Sequence, residues 1–395
     1  MKKNERLLIT LFLLLCMVFL SSVFAVQGTL LSTMIDHFHL DAAQQGTANT
    51  MAFAGGIVAL VSAFALQGRW KKRTLLKAAV LVCAGGLALM WLAPNYMLYV
   101  TAWFITGYGL GLMDTLLSAC MADLYSGKQA VLMMCILHTA YGLSSVFSPM
   151  AYAGLLSAGV PWQRIYLVIA AVGILIILCA LVIRKAKSMV DQEVLFQQTL
   201  HLKEILPALH KGRLLWLVAA IFFHGIFLSG LNTWINRYAD ALPGNISIPA
   251  QSCVFLGLML SRLLMPFLSI KAEKYAVAGG LLGGIALSIG LLFPNSWLLR
   301  VMLIISSLIF GALIPCVLTL GCERQKTNTL LATTGIMLML YLGQAVSSPL
   351  IAMLESLINL QAGMFLCAGC MVACSLCCWA DHQQNCQTDV QVIEQ

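Results

Sequence analysis

The chain has 395 residues, of which 61% are hydrophobic and 10% charged, and its net charge is +8. A soluble domain carries about 25% charged residues, and the deficit here extends along the whole chain, which excludes a single soluble core. Apolar stretches of about 20 residues recur, and each is long enough to cross a bilayer. Because lipid offers the backbone no hydrogen-bond partners, such stretches are helices. The sequence therefore predicts an all-α membrane protein.

Twelve transmembrane helices are predicted, six on each side of a polar, basic connection. The first six cover residues 7–35, 43–67, 75–94, 97–124, 130–157 and 162–183. The second six cover residues 214–238, 249–269, 274–292, 298–321, 329–354 and 359–380. The predicted domains are an N-terminal six-helix bundle at 1–184, a cytoplasmic central loop at 185–213, a C-terminal six-helix bundle at 214–380 and a polar cytoplasmic tail at 381–395.

The positive residues predict the orientation. Twenty of the 23 lysines and arginines fall on one side of this layout, and only Arg164, Arg237 and Arg300 fall on the other. Because positively charged loops stay in the cytoplasm, both chain ends are predicted to be cytoplasmic, in a bacterial plasma (inner) membrane. The net charge is then explained by orientation, and no nucleic-acid partner is expected.

Asp114 is the clearest functional candidate. It lies near the middle of the fourth predicted helix, where an ionisable group is costly and so indicates function. Gly107, Gly111, Thr115 and Ser118 share its helical face, and small residues let another helix approach closely. A carboxyl in such a place can bind and release a proton during transport. The alternative is a hydrogen-bonded acid with a structural role.

His138, in the fifth predicted helix, is the candidate partner of Asp114 in proton coupling. Counting 1.5 Å per residue from Lys128 in the intervening loop, the two residues differ in depth by about 6 Å. A histidine that only packs between helices is the alternative, so its role stays open.

Further polar and aromatic residues are candidates for a substrate cavity. Amides and hydroxyls beside aromatic rings suit a neutral polar ligand such as a sugar, but the same residue types also form hydrogen bonds between membrane helices. The candidates are Gln27, Tyr108, Ser118, Tyr141, Asn232, Trp234, Asn236, Tyr341 and Gln344.

Neither a metal site nor a cofactor is predicted. Cys367, Cys370, Cys374 and Cys377 recur at helical spacing, but one stripe does not bring four sulfurs around one ion, so packing is the favoured interpretation. The sequence has no P-loop, which argues against ATP-driven pumping by this chain. No serine-hydrolase motif is present, and no enzyme activity is expected.

The two halves carry a weak internal repeat. Gly107 and Thr115 are eight residues apart in the fourth predicted helix, as are Gly311 and Thr319 in the tenth. Two related six-helix halves with a central binding site are typical of secondary transporters.

Two motifs resemble a known family. The run Gly107 to Thr115 and the run Leu137 to Gly142 resemble the major facilitator superfamily and, within it, the fucose–galactose–hexose symporter group (fucose permease and TsgA-like proteins). The resemblance implies the two-bundle major facilitator fold and proton-linked sugar symport, with Asp114 as the acid of the fourth helix. It departs at Gly28, where fucose permease has an acid.

The predicted function is secondary active transport of a small solute by alternating access, with a sugar and a proton as the cargo. The substrate is expected near the midplane between the halves. The alternatives are an exporter of amphipathic compounds and a non-transporting receptor or scaffold on the same fold. The expected partners are the solute, protons and membrane lipid, and the protein is expected to be a monomer.

Overall fold

The computed structural model describes residues 3–66, 72–125, 127–182, 214–244, 246–268, 270–324 and 329–393. These residues form helices and no β-strand. The chain divides into two compact units, Met1–Thr199 and Leu200–Gln395, and each is described by itself. The predicted central loop, 185–213, lies outside the described residues.

The N-terminal unit contains seven helices within its described part. They are α1 (Lys3–Phe38), α2 (Ala42–Gln45), α3 (Thr47–Leu66), α4 (Lys72–Trp91), α5 (Tyr96–Leu124), α6 (Gly127–Ser157) and α7 (Trp162–Val182). Inside this unit α5 packs against α3 and α4, α1 against α6, and α4 against α7. The fourth and fifth predicted helices are therefore α5 and α6.

The C-terminal unit contains a further seven helices and one 3₁₀ turn within its described part. They are α8 (Leu215–Asp240), α9 (Ala250–Leu264), the 3₁₀ turn Met265–Phe267, α10 (Ala272–Leu292), α11 (Ser296–Phe310), α12 (Leu313–Arg324), α13 (Thr329–Leu357) and α14 (Leu360–Ile393). Here α8 packs against α13 and α14, α10 against α11 and α14, and α9 against α11.

The helices have the length and composition of membrane spans. Nine helical stretches in the described residues are long and apolar enough to cross a bilayer, and α11 with α12 counts as one of them. Two shorter apolar helical stretches, Thr47–Ser62 and Ala250–Leu264, lie in α3 and α9. Together with these eleven stretches, the 31-residue α6 brings the number in the described residues to twelve. The fold is thus the predicted all-α membrane architecture of twelve transmembrane helices in two six-helix bundles.

Three details differ from the predicted helices. The second predicted helix is divided at Gly46 into α2 and α3, and Asp41 caps the start of α2 by accepting a hydrogen bond from the Gln44 amide at 2.8 Å. The tenth is interrupted at Gly311 and Ala312. The last continues 13 residues past its predicted end at 380. An ion pair of Asp381 with Arg324 and a contact of His382 with Glu273 at 3.4 Å stabilise the first turn of this extension.

Glycines allow the closest helix crossings, and corresponding glycines do so in both units. A Cβ at Gly107 would lie 2.7 Å from the Ala52 Cα of α3, and a Cβ at Gly311 would lie 2.8 Å from the Leu258 Cα of α9. Eight residues on, Thr115 and Thr319 each donate to the carbonyl four residues back, at 3.0 and 2.8 Å. The contacts therefore repeat in both units, as the sequence predicts.

Candidate functional site

The exposed face of α5 is polar. Among the described residues of this helix, Met97, at its outer end, is the only large apolar side chain that is exposed. Thr101 and Thr115 are exposed, and Tyr108 is half-buried. By contrast, α7 exposes six leucine, isoleucine and valine side chains, as a helix in contact with lipid does. We infer that the exposed face of α5 contacts water, because lipid-facing residues are apolar.

Asp114 is half-buried and precedes the exposed Thr115, and it lies on the helical face of Gly107 and Gly111. It follows the close contact between Gly111 and Gly56 of α3, where a Cβ on Gly111 would lie 2.8 Å from the Gly56 Cα. The carboxyl is next to tightly packed backbone and keeps part of its surface exposed. That is the environment in which an acid can exchange a proton with water.

The His138 side chain is exposed, and its position on α6 shows which face of the helix carries it. Gly142, Ser145 and Pro149 follow at spacings that place them on the same helical face as His138, and all three are buried. The lipid-type side chains that α6 exposes, such as Phe147, lie on the opposite face. His138 therefore lies on the face of α6 that packs against the rest of the N-terminal unit.

The structure places Asp114 and His138 at similar depth. Asp114 lies ten residues before the end of α5, and His138 lies eleven residues after the start of α6. At 1.5 Å per residue these positions are about 15 and 16 Å from the adjoining helix ends. This difference is smaller than the sequence estimate of about 6 Å because it is counted from the observed helix ends, Leu124 and Gly127, and not from Lys128.

Hydrogen bonds fix the rotation of α6 against α1. The Ser21 hydroxyl lies 2.6 Å from the Ser145 hydroxyl and donates to the Tyr141 carbonyl at 2.8 Å. The Ser144 hydroxyl donates to the Val18 carbonyl, also at 2.8 Å. These contacts orient the face that carries His138 and the half-buried Tyr141.

Two more candidates in the N-terminal unit have contrasting environments. The Tyr108 hydroxyl lies 2.9 Å from the Ser62 hydroxyl and so joins α5 to α3. The Gln27 side chain is buried, and its amide nitrogen has no hydrogen-bond partner among the described residues. An amide donor without a partner inside a protein is costly, which makes Gln27 a stronger candidate for a polar ligand. Ser118 is half-buried one turn after Asp114.

In the C-terminal unit, Asn232 and Asn236 belong to a buried amide network with Gln251 of α9. The Gln251 side chain donates to the Asn232 side-chain oxygen at 2.7 Å and accepts from the Asn236 side-chain nitrogen at 3.1 Å. The Gln251 backbone amide donates to the Asn236 side-chain oxygen at 2.9 Å. The network binds α8 to the start of α9, so these two asparagines connect helices in this structure.

Trp234 is completely buried beside this network. Its indole nitrogen donates to the Ser348 hydroxyl at 3.1 Å, and the Arg237 guanidinium lies 5.7 Å from the ring centroid. Arg237 also forms an ion pair with Glu355 of α13 at 2.9 Å. The indole therefore joins α8 to α13.

Tyr341 and Gln344 lie where α13 crosses α8, and both are buried. A Cβ at Gly225 would lie 3.0 Å from the Gln344 backbone nitrogen. The candidate residues are thus divided between the units, six in the N-terminal unit and five in the C-terminal unit.

Sequence reasoning missed Gln251. It lies at the predicted start of its helix, where a polar residue is ordinary, and its role depends on a pairing between helices. The cysteine stripe is buried, and the Cys374 thiol donates to the Ala220 carbonyl at 3.1 Å. No group of three or more histidine, cysteine, aspartate or glutamate residues in the described part of the chain could hold a metal ion.

Comparison with known proteins identifies the family of the chain. A search of curated proteins gives no match. Three of the solved structures that match the fold do so at low sequence identity. They are a bacterial homolog of the human lysosomal transporter Spinster (15% identity, 97% of this chain and 98% of that chain, TM-score 0.77), the E. coli fucose:proton symporter (18%, 95% and 99%, 0.66) and a D-xylose–proton symporter (16%, 94% and 97%, 0.76). The Major Facilitator Superfamily model matches residues 12–333, and this chain therefore belongs to the major facilitator superfamily of transporters.

Proposed function

We propose that this protein is a proton-linked symporter of a small, neutral, polar solute, with a sugar as the expected substrate class. As a member of its superfamily it is a membrane transporter and not an enzyme. The proposal places it in a bacterial inner membrane with both chain ends in the cytoplasm. The observation that carries it is the half-buried Asp114 of α5, whose distance along its helix from the α5–α6 connection is similar to that of His138 on α6.

Proton coupling follows from the chemistry of these two groups. A carboxyl and an imidazole can each bind a proton from water, and neither residue is fully buried. A ligand shifts a conformational equilibrium only by its difference in affinity between the states. If Asp114 must be neutral before the solute binds tightly, the proton gradient is coupled to solute movement.

The expected substrate class follows from the uncharged polar candidates. The unpartnered amide nitrogen of Gln27 can donate to a hydroxyl oxygen. Aromatic side chains such as Tyr108 and Tyr141 supply apolar surface beside polar groups, and sugars present both kinds of surface. Two similarly folded proteins, the fucose:proton and D-xylose–proton symporters, carry such cargo, which supports the proposal.

The test is uptake into proteoliposomes with a panel of hexoses, 6-deoxyhexoses, pentoses, nucleosides and amphipathic amines, with and without a pH gradient. We expect Asp114→Asn to lower gradient-driven accumulation about tenfold or more and to retain solute exchange, because the amide cannot release a proton. The matched control is Asp36→Asn, an exposed acid at the end of α1, which should transport as the unaltered protein does.

Two results would overturn the proposal. Undiminished gradient-driven uptake in the Asp114→Asn variant would remove this carboxyl from the coupling mechanism. Outward movement of amphipathic amines, with no sugar carried, would replace symport by export.

A further inference from the structure

The break between α11 and α12 has a cause in the sequence. In an α-helix each carbonyl accepts from the amide four residues later, and the residue four after Gly311 is Pro315, which has no amide hydrogen. The proline ring also crowds the carbonyl of Gly311. Helical hydrogen bonding is interrupted at Gly311 and Ala312, although the Gly311 backbone keeps right-handed helical angles.

Two side chains from neighbouring helices bind the backbone groups at this break. The Arg262 guanidinium of α9 donates to the Gly311 carbonyl at 3.3 Å. The Tyr275 hydroxyl of α10 accepts from the Ala312 amide at 3.0 Å and lies 3.0 Å from the Ser261 hydroxyl. An interrupted membrane helix is tolerated only where its backbone groups find partners in the protein. Arg262 and Tyr275, hereafter the clamp, provide them.

The N-terminal unit supplies an internal comparison. Its equivalent of Gly311 is Gly107, and four residues later it has Gly111, which keeps its amide hydrogen, so α5 continues without interruption. The corresponding stretch of α3, residues 54–62, carries no charged side chain. The proline and the arginine therefore occur together in one unit and are both missing from the corresponding positions in the other.

The packing around the break leaves it little freedom to move sideways. A Cβ at Gly311 would lie 2.8 Å from the Leu258 Cα and 2.8 Å from the Ser261 Cβ, both on α9. On the α8 side, the His224 ring lies 5.0 Å from the Phe310 ring, centroid to centroid. Neither His224 nitrogen has a hydrogen-bond partner among the described residues. The imidazole without a partner therefore packs against Phe310, the residue that precedes the break.

We propose that the α11–α12 break is a hinge and that Arg262 and Tyr275 are the positioning residues that hold it closed. The rate of the conformational change in transport then depends on release of the clamp. This inference rests on the proposed transport function, but the hinge itself can be measured without any solute. Discontinuous helices form the substrate and ion sites of many transporters, so a break in a transporter helix is a candidate for function. The new element is the assignment of Arg262, which the sequence alone would place as an arginine extending to the membrane surface.

The first experiment is hydrogen–deuterium exchange of the full chain in nanodiscs, followed in peptides that cover residues 308–318. Arg262→Met and Tyr275→Phe should each raise exchange in this segment, because each removes a partner of the backbone at the break. Lys274→Met is the matched control: it removes a positive charge from an exposed position near the start of α10, and exchange at the break should not change.

The second experiment is a double-variant cycle with Pro315→Ala, which restores an amide that can donate to the Gly311 carbonyl. Arg262→Met alone should change the maximal uptake rate about ten- to a hundredfold, as loss of one hydrogen bond from a charged donor implies, with KM unaltered. In the Pro315→Ala background the same substitution should have a much smaller effect. A merely structural arginine would have equal effects in both backgrounds.

The outcomes separate the hinge from the transport function. Exchange at 308–318 that is the same in Arg262→Met and the unaltered protein overturns the clamp. Raised exchange with an unchanged uptake rate, or equal effects in both proline backgrounds, overturns its role in transport. Absence of uptake by the unaltered protein for every solute tested counts against the proposed function, while the exchange data still decide whether the clamp exists.

Discussion

Buried polar side chains in this protein follow two patterns, and His224 belongs to the rarer one. Most have partners, such as the amides around Gln251 and the hydroxyls that join α1 to α6. His224 is fully buried against Phe227 and Phe310, with no hydrogen-bond partner for either nitrogen in the described part of the chain. A neutral imidazole always carries one N–H donor, and each unpaired buried group costs about 1–3 kcal/mol. The residue is therefore a local loss of stability in this conformation.

This cost predicts that His224→Leu leaves the protein as stable or makes it more stable. Leucine is of similar size and removes both unpaired nitrogens, so the apparent Tm in detergent should rise by about 1–3 °C. His382→Leu is the control, because His382 contacts Glu273 at 3.4 Å and its replacement should give no gain. A fall of several degrees for His224→Leu would mean that the imidazole has a hydrogen-bond partner in solution.

Whether the role of a polar residue depends on its partners decides whether it could be found from the sequence. Asp114 and His138 are recognisable because a charge or an imidazole in a long apolar stretch is unusual whatever its neighbours. Gln251 and Arg262 lie near helix ends, where polar residues are ordinary, and their roles depend on which atoms of another helix lie opposite. Sequence periodicity gives the face of a residue, and only the packed structure gives its partner.

At the scale of elements, glycine contacts set how closely helices approach. Gly85 and Gly86 are neighbours on α4 and differ in what surrounds them. A Cβ at Gly86 would lie 2.8 Å from the Thr106 backbone nitrogen and 3.0 Å from the Ala102 carbonyl oxygen of α5. A Cβ at Gly85 would have nothing within 4 Å. The pair therefore provides a test of packing at matched sequence and depth.

Gly86→Ala should destabilise the N-terminal unit, because α4 and α5 would have to separate against tight packing, at a cost of about 1–3 kcal/mol. Gly85→Ala should be neutral or slightly stabilising, since alanine favours the helix. Thermal unfolding of the two variants in the same detergent measures the difference. Equal unfolding temperatures would show that the crossing of α4 and α5 is looser than described.

The elements themselves were predicted well where hydropathy determines them and less well where backbone chemistry does. All twelve long helical stretches appear at the predicted places. The break at Gly311 and Ala312 was missed because hydropathy stays high across it, although Pro315 carries the signal. The extension of α14 to Ile393 was missed because helix beyond the membrane depends on contacts such as that of Asp381 with Arg324.

For the whole molecule, positive charge is divided more unequally between the two predicted sides than the count of lysines and arginines suggests. Two of the three arginines on the predicted outer side have structural roles. Arg237 pairs with Glu355, and Arg300 donates to the Ile246 and Ile248 carbonyls at 3.1 and 2.7 Å. The Arg300 contacts hold the connection between α8 and α9, and the Arg237 pair joins α8 to α13. Only Arg164 remains as an exposed positive charge on that side.

This asymmetry predicts that both ends of the chain are cytoplasmic. Green fluorescent protein fused to either end should fluoresce, and alkaline phosphatase fused to either end should be inactive, because each reporter works on one side of the membrane only. The control is phosphatase inserted at Gly244, between α8 and α9, where it should be active. Opposite results at the two ends would require an odd number of spans and would contradict the twelve-helix fold.

The burial of α8 has a consequence for how the protein is made. Among its described residues, only Leu215 and Trp216, at its first turn, are large apolar side chains exposed to the surroundings, and the helices that cover it most fully are α13 and α14. The ribosome finishes those two helices more than a hundred residues later. In the interval the nascent chain has Gln251 of α9, the next helix synthesised, to satisfy Asn232 and Asn236. The amides of α8 can thus be paired early in translation, while its apolar surface stays in lipid or translocon until the chain is complete.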